Sequence, residues 1–232
     1  MFQFIKSPDI FRTPYHRSAL WDPQSPLHDT IMETLPPKEL KTASLRRKVE
    51  FAAGRWCAAK AIQSLDPKYP VSVGINTDGS PRWPEGIVGS ITHAEGYVSA
   101  AVARYGDCLN LGIDSEKCAK EESAEELAAV VLRNDEEPLL LNSPLSRPQA
   151  VTLVFCAKES AYKCLYPLVK RPFEFDAFRL RGINFGTRTF RFDLTDTLSF
   201  DFPEGAGIDG RFEVGGVFIH AAVELFENRL RS

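Results

Sequence analysis

Residues 109–116 read LNLGIDSE, in which an apolar run leads into an acidic segment. The apolar part predicts a strand over 109–114. On a strand, residues i and i+2 point to the same side, so Asp114 and Glu116 project together. Two close carboxylates repel unless a positive charge lies between them, and Mg²⁺ takes one or two carboxylates with phosphate oxygens and water. The stretch therefore predicts either a solvated acidic edge or part of a site for a hard divalent cation.

Helices are predicted on both sides of this strand. Apolar residues recur at helical spacing over 38–65, and Pro67 follows the end of that pattern. A second helical region covers 124–132, and a third covers 149–166, where Pro167 is expected to end it. One predicted helix thus precedes the acidic strand, and two follow it.

Further strands are predicted at 88–92, 97–103 and 217–225, each next to a turn. The first 37 residues are rich in proline and poor in periodicity, and predict an irregular lead-in. The order of helices and strands favours a mixed α+β chain, with a long helix and several strands in each half.

Composition excludes several classes of protein. The net charge of −3 argues against general nucleic-acid binding. Residues 38–60 carry seven bases and two acids, whereas residues 114–142 carry nine acids and three bases, which suits either two solvated helix faces or a protein that handles an anion and a cation. Five cysteines without a C-x-x-C pair favour a reducing cytoplasm over a disulfide framework or a zinc site. We find no signal peptide and no apolar run long enough to span a membrane.

Two more groups of residues could carry chemistry. Glu159 and Lys163 lie on one helix face at i and i+4, either as an exposed ion pair or as a third carboxylate beside a lysine that meets phosphate. Thr92 and His93 stand where a strand enters a turn, a position suited to ligand contact or to a structural histidine. The chain has no Walker loop, no G-x-G-x-x-G fingerprint and no nucleophile elbow. Any bound phosphate must therefore be held largely by side-chain cations.

The order of these motifs resembles the 4′-phosphopantetheinyl transferase family, specifically its surfactin-type and enterobactin-synthase-type members. The resemblance covers residues 46–167 and rests on FAAGR at 51–55, PRWP at 81–84, GSITH at 89–93, LGIDSE at 111–116 and AKESAYK at 157–163. Thr92 stands where many relatives have serine but keeps the hydroxyl. Ser115 replaces an apolar residue and should point away from Asp114 and Glu116, with little effect on metal binding.

The resemblance implies an α+β fold of two similar α/β halves, 1–110 and 111–232, packed as an intramolecular pseudo-dimer with the active site in the cleft between them. It implies a holo-acyl-carrier-protein synthase, a cytoplasmic monomer that transfers 4′-phosphopantetheine from coenzyme A to a serine of an apo acyl, peptidyl or aryl carrier protein. The reaction would release 3′,5′-ADP and need Mg²⁺ or Mn²⁺. The sequence leaves two alternatives, a non-catalytic module that binds coenzyme A or a carrier protein, and a magnesium-dependent phosphodiesterase.

The resemblance also assigns residues to these tasks. The metal ligands would be Asp114, Glu116 and Glu159, with Glu159 also the base that takes the serine proton. Lys163 would steady the leaving phosphate, and Lys158 would assist with pyrophosphate charge. The 3′-phosphate and adenine end of coenzyme A would be held by Arg47, Arg55, Arg82, Thr92 and His93. Acidic carrier domains would meet the basic helix near Arg46 and Lys48.

Overall fold

The computed structural model describes residues 2–12, 15–21, 43–70, 72–141 and 143–227. The chain divides into two compact units, the first made of Met1–Ser7 with Thr13–Asp107 and the second of Pro8–Arg12 with Cys108–Ser232. Helices and strands occur in both, so the predicted α+β class is confirmed. Within the described residues, no helix combines the length and the apolar character needed to cross a bilayer.

The first unit is an antiparallel sheet covered by one long helix. The sheet has the order β1-β2-β6-β5. Its elements are β1 (Phe2–Ile5), β2 (Tyr15–Trp21), α1 (Leu45–Leu65), the short hairpin β3 (Gly74–Ile75) and β4 (Pro81–Arg82), β5 (Ile87–Ala94) and β6 (Tyr97–Arg104). Small buried residues on α1, among them Ala53, Cys57 and Ala61, let the helix pack closely on β2 and β6.

The prediction of an irregular lead-in over the first 37 residues is wrong for its described part. β1 pairs with β2, and β2 pairs with β6 from Tyr15 opposite Val102 to Leu20 opposite Tyr97. Both strands are added to the outer side of a hairpin that lies some eighty residues later in the chain. The pairing of β2 with β6 is therefore long-range, and local periodicity carries little of that information. Residues 22–42 of the lead-in, and the start of the helix predicted from 38, lie outside the described residues.

The second unit is a five-stranded antiparallel sheet, in the order β7-β11-β10-β9-β8, packed against a 23-residue helix. Its elements are β7 (Asn110–Lys117), α2 (Glu121–Val131), α3 (Glu137–Leu140), α4 (Arg147–Val169), a 3₁₀ turn (Phe175–Ala177), β8 (Phe178–Asn184), β9 (Thr189–Leu194), β10 (Gly207–Gly215) and β11 (Phe218–Leu225). Residues 8–12 are held on this unit, where Glu213 accepts the backbone N–H of Asp9 and Glu224 accepts that of Arg12.

α4 packs across β7 and β11, and Gly112 on β7 permits the close contact. A Cβ at this glycine would lie 2.0 Å from the carbonyl oxygen of Ser160 and 2.6 Å from the backbone nitrogen of Cys164. Both neighbours are helix backbone, which cannot move aside as a flexible side chain would. Glycine therefore sets how near α4 lies to the strand that carries Asp114 and Glu116.

α4 does not end at Pro167 as predicted. The helix continues to Val169 and ends at Lys170, which adopts the left-handed conformation with a φ of 56° and donates its N–H to the carbonyl of Tyr166. Proline removes one helical N–H and crowds the preceding turn, but in the last turn few bonds remain to be lost. At the other end, the side chain of Gln149 accepts the backbone N–H of Ser146, which starts the helix before residue 149.

Candidate active site

A cavity of about 490 Å³ in the first unit gathers three of the predicted coenzyme A contacts, Arg47, Arg55 and His93. α1 supplies the two arginines and β5 supplies the histidine. The β3–β4 hairpin forms another wall of the cavity. Two arginines and an imidazole around a space of this size make an arrangement that suits a phosphate-bearing ligand.

α1 lies close to β5 because Gly54 faces the strand. A Cβ on this glycine would lie 2.7 Å from Cγ2 of Ile91. Ile91 and His93 alternate with Thr92 along β5, so they share the face that lines the cavity. The F-x-x-G-R motif at 51–55 thus has a structural reason, because its glycine brings the helix arginines within reach of the strand histidine.

Arg47, Glu50 and His93 are joined in one polar group. Nη1 of Arg47 lies 2.8 Å from Nε2 of His93, and a carboxylate oxygen of Glu50 lies 3.8 Å from Nδ1 of the same ring. Glu50 also accepts a 2.9 Å hydrogen bond from Nε of Arg46. Its side chain is only 10% exposed, while those of the two arginines are more than half exposed. A buried acid therefore stands among the cations of this cavity.

Arg55 is fixed by the chain that follows α1. Its guanidinium donates to the carbonyls of Val73 and Gly74 at 3.1 and 3.3 Å and lies 4.3 Å from the ring centre of Phe51. These contacts hold the start of the β3–β4 hairpin as well as the arginine. Arg82 lies on the same hairpin, with its guanidinium over Gly74. It is not among the described residues that line the cavity.

Thr92 is not placed with the other predicted contacts. Its side chain is 2% exposed and lies on the face of β5 opposite His93, because neighbouring strand residues point in opposite directions. The hydroxyl of Thr92 is therefore not placed beside His93, and its predicted hydrogen bond to coenzyme A stays a prediction.

In the second unit, Asp114, Glu159 and Lys163 meet where β7 faces α4. Nζ of Lys163 lies 2.6 Å from Oδ1 of Asp114 and 3.9 Å from Oε2 of Glu159. Asp114 is 2% exposed, whereas Glu159 and Lys163 are partly open to solvent. Ser115 lies on the opposite side of the strand, where it hydrogen-bonds the buried His220 at 2.9 Å. The alternation predicted for the D-S-E run is therefore present.

Electrostatics join Glu116 to the same cluster and shift its members. Burial raises the pKa of the Glu159 carboxyl, Lys163 opposes that rise and Asp114 adds to it. Burial alone would lower the pKa of Lys163, but the charges of Asp114, Glu159 and Glu116 outweigh it and raise the pKa. Lys163 is thus held as an ammonium, and Glu159 binds a proton more readily than an exposed glutamate does.

The donors of this cluster are carboxylate oxygens, the ligands that a hard divalent cation prefers. The ammonium of Lys163 already marks the place between Asp114 and Glu159 as favourable for positive charge. Among the described residues, however, no three His, Cys, Asp or Glu side chains form a ready-made metal site. Asp114, Glu116 and Glu159 therefore have the donor oxygens that Mg²⁺ prefers, and all three act on the ammonium of Lys163.

Lys158 contradicts its predicted role. The side chain is fully buried, and its Nζ donates at 2.8 Å both to the carbonyl of Val131 and to Glu136. Glu136, fully buried as well, accepts the backbone N–H groups of Arg133 and Leu180 at 2.9 and 2.6 Å. The prediction that Lys158 assists with pyrophosphate charge is wrong in this structure, because the ammonium faces the protein interior and is committed to two acceptors.

Comparison with known proteins shows that the parts of the chain that hold the cavity and the carboxylate cluster both match models of one family. The model described as the 4′-phosphopantetheinyl transferase N-terminal domain matches residues 36–103, and that of the 4′-phosphopantetheinyl transferase superfamily matches residues 110–206. The transferase PptT of Mycobacterium tuberculosis is 36% identical over 78% of this chain and 80% of its own length. The transferase Npt of Nocardia iowensis is 32% identical over 77% and 82%. The chain belongs to the 4′-phosphopantetheinyl transferase family.

Enterobactin synthase component D of Salmonella typhi is also similar, with 34% identity over 69% of this chain. The chain spans 54% to 66% of the length of the three Salmonella proteins of that name that it matches. The cavity lies within the part matched by the N-terminal domain of the 4′-phosphopantetheinyl transferases, and the carboxylate cluster lies within the part matched by the superfamily. How the two halves predicted at 1–110 and 111–232 pack together stays a prediction.

The sequence did not predict the contacts of three buried polar residues, Glu50, Glu136 and His220. Glu50 could have been found, because it stands at i+4 from Arg46 and i+3 from Arg47 and is one of two acids among seven bases. Glu136 and His220 gave no local signal, since their partners Lys158 and Ser115 lie 22 and 105 residues away in the chain.

Proposed function

We propose that this protein transfers the 4′-phosphopantetheine arm of coenzyme A to a serine of an apo carrier protein and releases 3′,5′-ADP. Membership of the 4′-phosphopantetheinyl transferase family supports this activity, as do relatives named as such transferases. The observation that carries the proposal is the grouping of Asp114 on β7 with Glu159 and Lys163 on α4, because two carboxylates and an ammonium from separate elements meet there.

In this proposal the cavity of the first unit holds the 3′-phosphate end of coenzyme A. Arg47 and His93 are the contacts that the geometry favours, and Arg55 adds positive charge while it holds the cavity wall. Arginine matches phosphate oxygens with its fork of N–H groups. Arg82 stays a proposed outer contact, because its exposed side chain lies on the same hairpin.

Asp114, Glu116 and Glu159 would hold Mg²⁺, which when bound supplies charge neutralisation at the pyrophosphate. The serine hydroxyl is a weak nucleophile at neutral pH, and Glu159 accepts its proton on a carboxylate oxygen. The serine oxygen then bonds to the β-phosphorus while the bond from that phosphorus to the bridging oxygen breaks. Lys163, held as an ammonium by its acidic neighbours, donates from Nζ to the leaving phosphate of 3′,5′-ADP.

We further propose a cytoplasmic monomer. The described cysteines form no disulfide, which supports a reducing compartment. The five thiols would all be titrated by a thiol reagent after unfolding without reductant, and size-exclusion chromatography of the purified chain would give the mass of one copy.

The activity is tested with purified protein, coenzyme A, Mg²⁺ and an apo carrier protein, followed by mass spectrometry of the carrier. Transfer adds about 340 Da to the carrier, the mass of the arm moved in the nucleophilic step. Coenzyme A bound without modification would instead indicate a binding module. Cleavage of coenzyme A with the carrier unchanged would indicate a phosphodiesterase. A panel of aryl, peptidyl and acyl carriers then defines the substrate class.

Glu159→Gln tests the assigned base. The variant should retain its helical circular dichroism and lose transfer, because an amide cannot accept the serine proton. The matched control is Glu122→Gln, an exposed acid on α2, which removes the same charge outside the cluster and should transfer normally. Near-normal turnover by folded Glu159→Gln would remove Glu159 from its proposed role.

A further inference from the structure

The buried acid of the first cavity calls for an explanation. Glu50 is 8% exposed, and its neighbours in the cavity are Arg47, Arg55 and His93. An anion-binding cavity gains nothing from a negative charge in its wall, because that charge repels the ligand. The carboxylate must therefore act on one of the cations rather than on the ligand.

The contact between Arg47 and His93 indicates which nitrogen of the imidazole carries the proton. A guanidinium has only donors and stays charged at every ordinary pH. Nε2 of His93, 2.8 Å from Nη1 of Arg47, must therefore offer its lone pair. The ring is then neutral with its proton on Nδ1, the nitrogen that lies 3.8 Å from the carboxylate of Glu50.

We infer that Glu50 is a positioning residue that turns His93 into a proton-coupled phosphate contact, so that the binding of a 3′-phosphate takes up one proton from solution. When the phosphate enters, Arg47 turns its N–H groups to the phosphate oxygens and leaves Nε2 of His93. Nε2 gains a proton and donates to the phosphate, and Glu50 stabilises the resulting imidazolium from the Nδ1 side. This inference rests on the proposed function, which places the 3′-phosphate of coenzyme A in this cavity.

The other charged groups near the imidazole do not replace Glu50. Arg47 and Arg55 line the same cavity, and their positive charges disfavour protonation of His93. Arg46 is bonded to Glu50 itself, and Glu95, on the turn after β5, acts on Arg46 through space. The carboxylate of Glu50 lies 3.8 Å from Nδ1 of the ring.

Isothermal titration calorimetry with 3′,5′-ADP tests the inference without metal, carrier or turnover. At pH 8 an ordinary imidazole, with a pKa of about 6.5, is mostly neutral, and a phosphate monoester, with a second pKa of about 6, is already a dianion. The heat of binding measured in two buffers of different ionisation enthalpy gives the number of protons exchanged. We expect an uptake of about one proton per 3′,5′-ADP and almost none for 5′-AMP, which lacks the 3′-phosphate.

Three variants separate positioning from simple electrostatics. His93→Gln should abolish the uptake. Glu50→Gln should lower it by more than half and weaken binding about tenfold at pH 8, with a smaller difference at pH 6, where the imidazole protonates without help. Coulomb's law alone predicts the opposite sign for Glu50→Gln, since the loss of an acid should tighten the binding of an anion. Glu95→Gln removes an equal charge nearby and should keep both affinity and uptake.

The outcomes of this experiment are distinct. Binding of 3′,5′-ADP without proton uptake, or tighter binding by Glu50→Gln, overturns the inference and leaves the phosphate site in place. Equal affinity for 3′,5′-ADP and 5′-AMP overturns the assignment of the cavity, and with it the inference. Uptake that persists in His93→Gln overturns the role of His93.

Discussion

The buried pair of Lys158 and Glu136 gives the sharpest test of the structure, because sequence resemblance and geometry assign Lys158 different tasks. Lys158→Met keeps the length of the side chain and removes its charge. In the structure this leaves Glu136 buried, with its charge facing the backbone N–H groups of Arg133 and Leu180. Breaking a buried pair from one side costs about 3–5 kcal/mol.

Proton uptake limits that cost. An uncompensated carboxylate can escape by protonation, which for an ordinary glutamate at pH 7 costs about 3.7 kcal/mol. The carbonyl of Val131 also loses a donor, a smaller term of about 1 kcal/mol. We therefore expect Lys158→Met to lower the free energy of unfolding by about 4–5 kcal/mol, measured by urea titration with circular dichroism. Lys120→Met, on an exposed lysine, is the control and should change it by less than about 0.5 kcal/mol.

The double variant Lys158→Met/Glu136→Gln separates structure from chemistry. Its neutral amide still accepts a backbone N–H but carries no charge, so more than half of the lost stability should return. Because Lys158 faces the interior, the kcat and KM for coenzyme A of this double variant should stay within about threefold of the parent protein. A stable double variant whose kcat falls a hundredfold would refute the reasoning and return Lys158 to the reaction. An unchanged urea transition for Lys158→Met would refute the buried ion pair of Lys158 and Glu136.

Three further results are expected. Gly112→Ala should destabilise the protein by about 3 kcal/mol or more in urea, because its Cβ would meet helix backbone at 2.0 Å, while Gly182→Ala, which meets nothing within 4 Å, should not. Burial lowers the pKa of His220 to about 4, against about 6.5 in an unfolded chain, so the unfolded state binds more protons between those values. Stability should thus be full above pH 6.5 and fall by up to about 3 kcal/mol towards pH 4; a His220→Gln variant with the same pH dependence would contradict this. Arg55→Ala should raise the KM for coenzyme A more than for its 3′-dephospho form, and equal changes would mean that Arg55 does not read the 3′-phosphate.

Local pattern predicted the parts of this fold whose partners lie nearby. The strands at 109–114, 88–92 and 97–103 and the long helices all appear, because strand alternation and helical periodicity report on residues two to four positions apart. The pairing of β2 with β6 was missed because it joins residues some eighty positions apart. Pro167 gave a wrong helix end because the destabilisation by proline depends on its position in the helix. In the last turn proline removes fewer hydrogen bonds than in the interior.

The candidate site divides in the same way. Resemblance assigned Asp114, Glu116 and Glu159 to a metal and Lys163 to the leaving phosphate, and these roles stay predictions. The structure places Lys163 next to Asp114 and Glu159. The same motif could not reveal that Lys158, next to Glu159, points inward, because the direction of a helix side chain is set by what the helix packs against. Thr92 shows the same difficulty on a strand, because neighbouring residues point to opposite faces and the motif does not say which face binds the ligand.

Both clusters neutralise their own charges before any ligand arrives, and this affects how binding should be interpreted. Asp114 is bonded to the ammonium of Lys163, and Glu50 stands against Arg46 and His93. A ligand must therefore exchange internal partners for external ones, and only the difference between the two contributes to affinity. Counting the bases of α1 overstates the attraction for a phosphate, because part of their charge is already balanced by Glu50. The same exchange gives selectivity, since a ligand with a single weakly charged group cannot displace the internal partner.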